Sequence, residues 1–115
     1  MIEKKLLIID DEPNVGRSLT RVFVGAGYNP SAIVSVASGR EGLETIIQGN
    51  DPDVIISDVQ MSDMDGPTTY HNIRKHYDSV GKIAPPIIFL SGGMSEVQTA
   101  QMQNLLPFEA LGKPW

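Results

Sequence analysis

Asp10, Asp11, Asp58, Ser91 and Lys113 are the residues of this chain whose types and spacing can do chemistry. Asp58 closes the run Val54-Ile55-Ile56-Ser57-Asp58, and Asp10-Asp11-Glu12 closes Leu6-Leu7-Ile8-Ile9. Apolar, β-branched runs without polar alternation read as strands buried on both faces, as in the middle of a parallel sheet. Their acidic ends then share one edge, the edge at which open α/β sheets bind ligands. Carboxylates gathered there repel one another unless a cation or a proton shares the charge, so a hard-metal pocket centred on Asp58 is expected. Oxygen ligands from Asp11 and Asp58, with Asp10 acting through water, suit an octahedral Mg²⁺ that keeps several waters, and the backbone carbonyl of Gln60 could complete the protein's share. An ion held this sparsely leaves room for phosphate, whose oxygens the Lys113 ammonium and the Ser91 hydroxyl would contact. An Asp oxygen beside the ion can itself be the nucleophile, giving an aspartyl phosphate on Asp58.

The elements that position these groups alternate between strand and helix. Residues 5–9 read as the first strand. Pro13 then opens a helix with Val15, Leu19, Val22, Phe23 and Ala26 at helical spacing, ended by Gly25 or Gly27. Residues 32–36 supply a second strand, its start delayed by Pro30. Ser38 and Glu41 form a capping box for a helix with Leu43, Ile46 and Ile47 as its buried stripe. The Asp58 strand follows, and then Pro67 opens a third helix whose apolar side carries Tyr70, Ile73 and Tyr77, with His71 and His76 off that stripe. A fourth strand is expected at 87–90, a polar fourth helix from the Ser95 and Gln98 capping box to about Leu106, and a short fifth strand at 108–111.

That alternation is the signature of an α/β, doubly wound, five-stranded parallel sheet of the flavodoxin-like order 2-1-3-4-5, flanked by helices. At 115 residues the chain is one domain, 1–115, with enough length for a core of its own. The last helix that such a fold needs is missing from the pattern, so the chain reads as truncated before it. Apolar surface on Val15, Leu19 or Val22 is therefore expected to be exposed. A net charge of -5 disfavours direct nucleic-acid contact, which needs a basic stripe. No apolar run approaches membrane length and no leader pattern opens the chain, so a cytoplasmic location is expected. The absence of cysteine rules out disulfides and thiolate chemistry.

Together, Asp10-Asp11 after the first strand, Asp58 followed by Met61, Met64, Asp65 and Gly66, Ser91-Gly92 after the fourth strand and Lys113-Pro114 resemble the receiver domain of two-component response regulators over the whole chain. The resemblance implies transfer of a phosphoryl group to Asp58 from a sensor histidine kinase or phosphotransfer protein. It also implies Mg²⁺ at Asp10, Asp11 and Asp58, phosphate contacts from Ser91 and Lys113, and a switch in the loop and helix after Ser91 that controls an output domain or effector protein. No external substrate is turned over; the domain catalyses only its own phosphorylation and dephosphorylation.

Four features depart from the family pattern. Ser62 stands where Pro is usual, which reads as a loosening of the loop. The segment from Tyr28 to Ala37 is about four residues longer than usual, Ala110 replaces the usual aromatic switch residue, and the last helix is absent. Rival chemistries fit less well. Asp10-Asp11-Glu12-Pro13-Asn14 puts acid where a nucleotide-binding loop needs backbone donors to phosphate. Asp58-Val59-Gln60 lacks the Asp-x-Asp of the haloacid dehalogenase group. A receiver-like interaction module that signals without phosphorylation is the alternative that Ala110 keeps open.

Overall fold

The computed structural model describes residues 1–91 and 108–112. Three helices and four parallel strands alternate along the first of these stretches: β1 (Leu6–Ile9), α1 (Pro13–Gly25), β2 (Ile33–Val36), α2 (Gly39–Ile47), β3 (Val54–Asp58), α3 (Gly66–Ser79) and β4 (Ile87–Ser91). The strands stand side by side in the order β2, β1, β3, β4. All four residues of β1 are buried, as an unbroken apolar run at the centre of a parallel sheet requires. The expected helix at 95–106 and Lys113 lie outside the described residues.

Helices cover both faces of the sheet. On one face Ile8, Ile56 and Leu90 bury against Leu19 of α1, with Val15 and Phe23 at the margin. On the other, Leu7, Ile9, Ile55, Ile87 and Phe89 meet Ile46 of α2 and Tyr70, Ile73 and Tyr77 of α3. The period-two alternation of strand side chains sorts these residues between the two faces. Leu19 is buried while Val22 is 52% exposed, so the open apolar surface expected on α1 is confined to the outer side of that helix.

Local chemistry fixes the element boundaries. β1 starts at Leu6 rather than Lys5. The Lys5 N–H donates to the Asp53 side chain at 2.8 Å and its carbonyl accepts from the Asp53 and Val54 N–H groups. The long segment after α1 is absorbed by a single 3₁₀ turn, Pro30–Ala32, which the Asn29 side chain caps by accepting from the Ser31 N–H. The second strand therefore begins at Ile33, one residue later than its composition suggested. At α2 the Ser38 hydroxyl accepts the Glu41 N–H, and Glu41 reaches back to the Ala37 N–H, one residue earlier than a standard capping box places it. Asp65 caps α3 by accepting from the Thr68 N–H at 2.7 Å, with Pro67 in the first turn. Further along α3, Tyr70 donates to the Pro85 carbonyl and Tyr77 to Asp51, which ties the helix to the strand entries.

The sequence placed both Ile46 and Ile47 in the buried stripe of α2, and the structure corrects the second. Ile46 is 3% exposed and Ile47 is 55% exposed, because Ile47, the last residue of α2, lies about 100° further round the helix and falls outside the side that meets the sheet. Ile46→Ala should lower the unfolding free energy by about 2–5 kcal/mol, the range for a buried isoleucine, whereas Ile47→Ala should stay within about 0.5 kcal/mol of wild type. Urea unfolding of the two variants measures this, and equal losses would show that α2 packs differently.

Candidate functional site

The strand register builds the site. Ile9 of β1 pairs with Ser57 of β3, so the residues that follow, Asp10 and Asp58, leave the sheet side by side at the carboxyl edge. Asp11 comes one residue later. The carboxylates of Asp10, Asp11 and Asp58 each offer an oxygen within 4.8 Å of the others. Asp10 is buried, 2% exposed, and Asp11 is the more open of the two. Three carboxylates this close repel one another, a cost that a cation or hydrogen-bond donors offset.

Each of them accepts at least one main-chain N–H. Glu12 donates to Asp10 Oδ1 at 2.9 Å, Ser62 to Asp11 Oδ2 at 3.3 Å, and Val59 to Asp58 Oδ1 at 2.9 Å. The oxygen-only donor set, with no imidazole or thiolate, suits a hard divalent cation such as Mg²⁺. Opposite ligands on Mg²⁺ stand about 4.2 Å apart, twice the usual metal–oxygen distance, so small side-chain rotations would bring these oxygens into range. When bound there, such an ion would neutralise charge on the carboxylates and on an incoming phosphoryl group.

α3 is packed directly onto the end of β3. Gly66, its first residue, donates its N–H to the Val59 carbonyl, and a Cβ at this position would collide with the Asp58 carbonyl and crowd the Phe89 ring. Only glycine permits this approach, so the backbone of Asp58 is held between β1, β4 and α3.

Of the other residues singled out in the sequence, Gln60 lies in the loop after β3, exposed and two residues beyond Asp58. Ser91 is the last residue of β4, at the same edge. Lys113 lies outside the described residues. Met61 is half-buried against the α2/α3 side of the core, Met64 accepts a hydrogen bond from Asn72 through its sulfur, and His71 is exposed. At Ser62 the main-chain N–H that a proline would lack is the donor to Asp11.

Sequence reasoning missed Asp63. Its carboxylate accepts the N–H groups of Gly39 and Arg40, so a residue of the β3–α3 loop caps the first turn of α2. Burial alone would raise the Asp63 carboxyl, but the N–H groups of Arg40, Gly39 and Met64 outweigh it and hold the pKa below its ordinary value of 3.8. No local signal announces such a cap, since cap and helix are 23 residues apart in sequence.

The family described as the response regulator receiver domain matches residues 6–115. The transcriptional regulatory protein GlrR of Escherichia coli (strain K12) is 31% identical over 111 residues, which are 95% of this chain and 22% of that protein. The sensor kinase CckA of Brucella abortus (strain 2308) is 31% identical over 96% of this chain and 11% of its own length. The chain thus spans about a tenth of one relative and about a fifth of the other. Among solved structures, the chemotaxis protein CheY4 of Vibrio cholerae superposes with a TM-score of 0.79 at 28% identity, covering 97% of this chain and 88% of that one.

The lowered Asp63 pKa has a definite sign in stability. A carboxyl whose folded pKa is depressed stabilises the fold above its unfolded pKa and loses that contribution as pH falls through the folded value. Asp63→Ala should therefore cost about 0.5–1 kcal/mol near neutral pH, toward the lower end for helix caps because the group is open to water. The difference from wild type should close as the solution is acidified below pH 3.8. Denaturant unfolding across that range checks it, and a gap that persists undiminished in acid would contradict the cap.

Proposed function

This chain belongs to the response regulator receiver domain family, and on that premise we propose that Asp58 accepts a phosphoryl group from the phosphohistidine of a sensor histidine kinase or phosphotransfer protein. As a receiver domain it is a signalling module of two-component systems rather than an enzyme for external substrates. The observation that carries the proposal is the convergence of Asp10, Asp11 and Asp58 within 4.8 Å at the carboxyl edge, with Asp58 ending a strand flanked on both sides.

In the transfer, a carboxylate oxygen of Asp58 attacks phosphorus. An O–P bond forms as the donor's N–P bond breaks, and the donor histidine leaves as neutral imidazole after protonation. Hydrolysis of the acyl phosphate returns the carboxylate. Asp10, Asp11 and the Gln60 carbonyl join Asp58 in holding Mg²⁺, which would share the negative charge that accumulates on the phosphoryl oxygens. The main-chain donors at Glu12, Val59 and Ser62 keep the carboxylates oriented for that role.

Ser91 and Lys113 contact the phosphoryl oxygens in this reading. Phe108–Gly112 is taken as a fifth strand, giving the order 2-1-3-4-5. Its support is the parallel register beside β4, in which Ile87 lies opposite Phe108 and Ser91 opposite Gly112. Lys113 follows Gly112 in the sequence, which supports its assignment to the same chemistry as Ser91. The new charge on Asp58 then biases the loop and helix that follow Ser91, which pass the signal to an output domain or effector protein. The domain works in the cytoplasm with no direct nucleic-acid contact, in keeping with its acidic balance. No helix among the described residues is long and apolar enough to cross a membrane.

Incubation with acetyl phosphate and Mg²⁺ should add the mass of one phosphoryl group. The gain should disappear in Asp58→Asn and when the metal is chelated. A gain that survives in Asp58→Asn, or that maps to another residue, would overturn the assignment.

A further inference from the structure

The three clustered carboxylates rest on donors of different origin. Among the described hydrogen bonds, Asp10 and Asp58 accept from Glu12 and Val59, two and one residues further along the chain. The donor to Asp11 comes from Ser62, 51 residues away. Nothing in β1 fixes that N–H in place; it depends on where the β3–α3 loop lies. The loop is fastened at the next residue, where Asp63 accepts from Gly39 at 3.3 Å and from Arg40 at 2.9 Å. At Gly39 a Cβ would stand 3.1 Å from the Met64 carbonyl and would collide with the Thr69 hydroxyl, so the bare backbone lets the loop sit on the first turn of α2. Asp65 closes the far end of the loop by capping α3.

We propose that the β3–α3 loop is a strap that presets Asp11 for the divalent cation, with the Ser62 main-chain N–H as the positioning group and Asp63 as its anchor on α2. The proposal rests on the reading of Asp10, Asp11 and Asp58 as the cation site. A carboxylate that accepts an N–H on one oxygen has its plane and its other oxygen oriented before the ion arrives, which removes part of the ordering cost of binding. In the cation-free protein the same N–H dipole offsets part of the repulsion among the three acids. Proline at position 62 would delete this donor outright.

Calorimetric titration of Mg²⁺ into wild type, Ser62→Pro, Ser62→Ala, Asp63→Ala and Asp63→Asn tests the strap, with circular dichroism confirming that each variant is folded. Ser62→Pro and Asp63→Ala should bind about tenfold more weakly, the smaller end of the effect of removing an outer hydrogen-bond partner from a metal ligand. Ser62→Ala, the conservative change that retains the N–H, should restore the affinity lost in Ser62→Pro, and Asp63→Asn, which retains an acceptor, should fall between. Without cation, the Ser62 amide proton should exchange faster in Asp63→Ala than in wild type. If Ser62→Pro does not fold, Asp63→Ala decides the question by both readouts. Equal affinities across the series, with wild type binding normally, overturn the strap and leave the cation site standing. Tighter binding by Ser62→Pro also overturns it, since the N–H would then compete with the ion. Failure of wild type to take up Mg²⁺ removes the site and the strap together.

Discussion

Mutual repulsion among three carboxylates is the force this structure has to contain, and the surrounding architecture is arranged to contain it. Two of the acids leave adjacent strands at the same level, because β1 and β3 pair with Ile9 opposite Ser57. A slip of one residue in that register would turn every side chain of a strand to the opposite face, so the apolar sorting of the core also fixes the position of the acids. Main-chain donors then reach each carboxylate, which lowers the electrostatic penalty without neutralising the site. The remaining negative potential is what makes the edge attractive to a hard cation.

Rigidity comes from burial on both faces of the sheet. Ile8 and Ile56 pack toward α1 while Leu7, Ile9 and Ile55 pack toward α2 and α3, so neither central strand can shift without disturbing two layers. Gly66 adds a third restraint, since α3 begins in direct contact with the Asp58 backbone. Groups that must meet within a few tenths of an ångström are thereby carried on strand ends and helix starts rather than on free loops. The exception is the donor to Asp11, which belongs to a loop and is steadied by an acid that caps a neighbouring helix.

Much of this arrangement was legible in the residues alone. The unbroken apolar runs of β1 and β3 announced buried parallel strands, and their acidic ends announced the cluster of Asp10, Asp11 and Asp58. Ser38 and Pro67 marked two helix starts, and Tyr70, Ile73 and Tyr77 marked the buried side of α3. What stayed hidden depends on how separate elements meet. Asp63 looks like any turn residue until α2 is placed beside it, and Ser62 looks like a missing proline until its N–H is seen facing Asp11. Ile47 failed for a different reason: an apolar residue beside a buried one extends a hydrophobic run in sequence, yet the helix turns it away from the sheet. Boundaries moved by a residue where side chains compete for the backbone, as Asn29 does in making the 3₁₀ turn.

That turn also says where the domain tolerates variation in length. The segment between α1 and β2 is pinned by Ile2, whose N–H donates to the Gly27 carbonyl and whose carbonyl accepts from Asn29, before the turn hands the chain to Ile33. It lies at the sheet edge opposite the acids, beside an outermost strand. The 3₁₀ turn takes no part in the β1–β3 pairing that aligns Asp10 with Asp58. The segment is consequently a natural splice point, where an epitope or a fluorophore-bearing peptide could be grafted while the acidic edge keeps its shape.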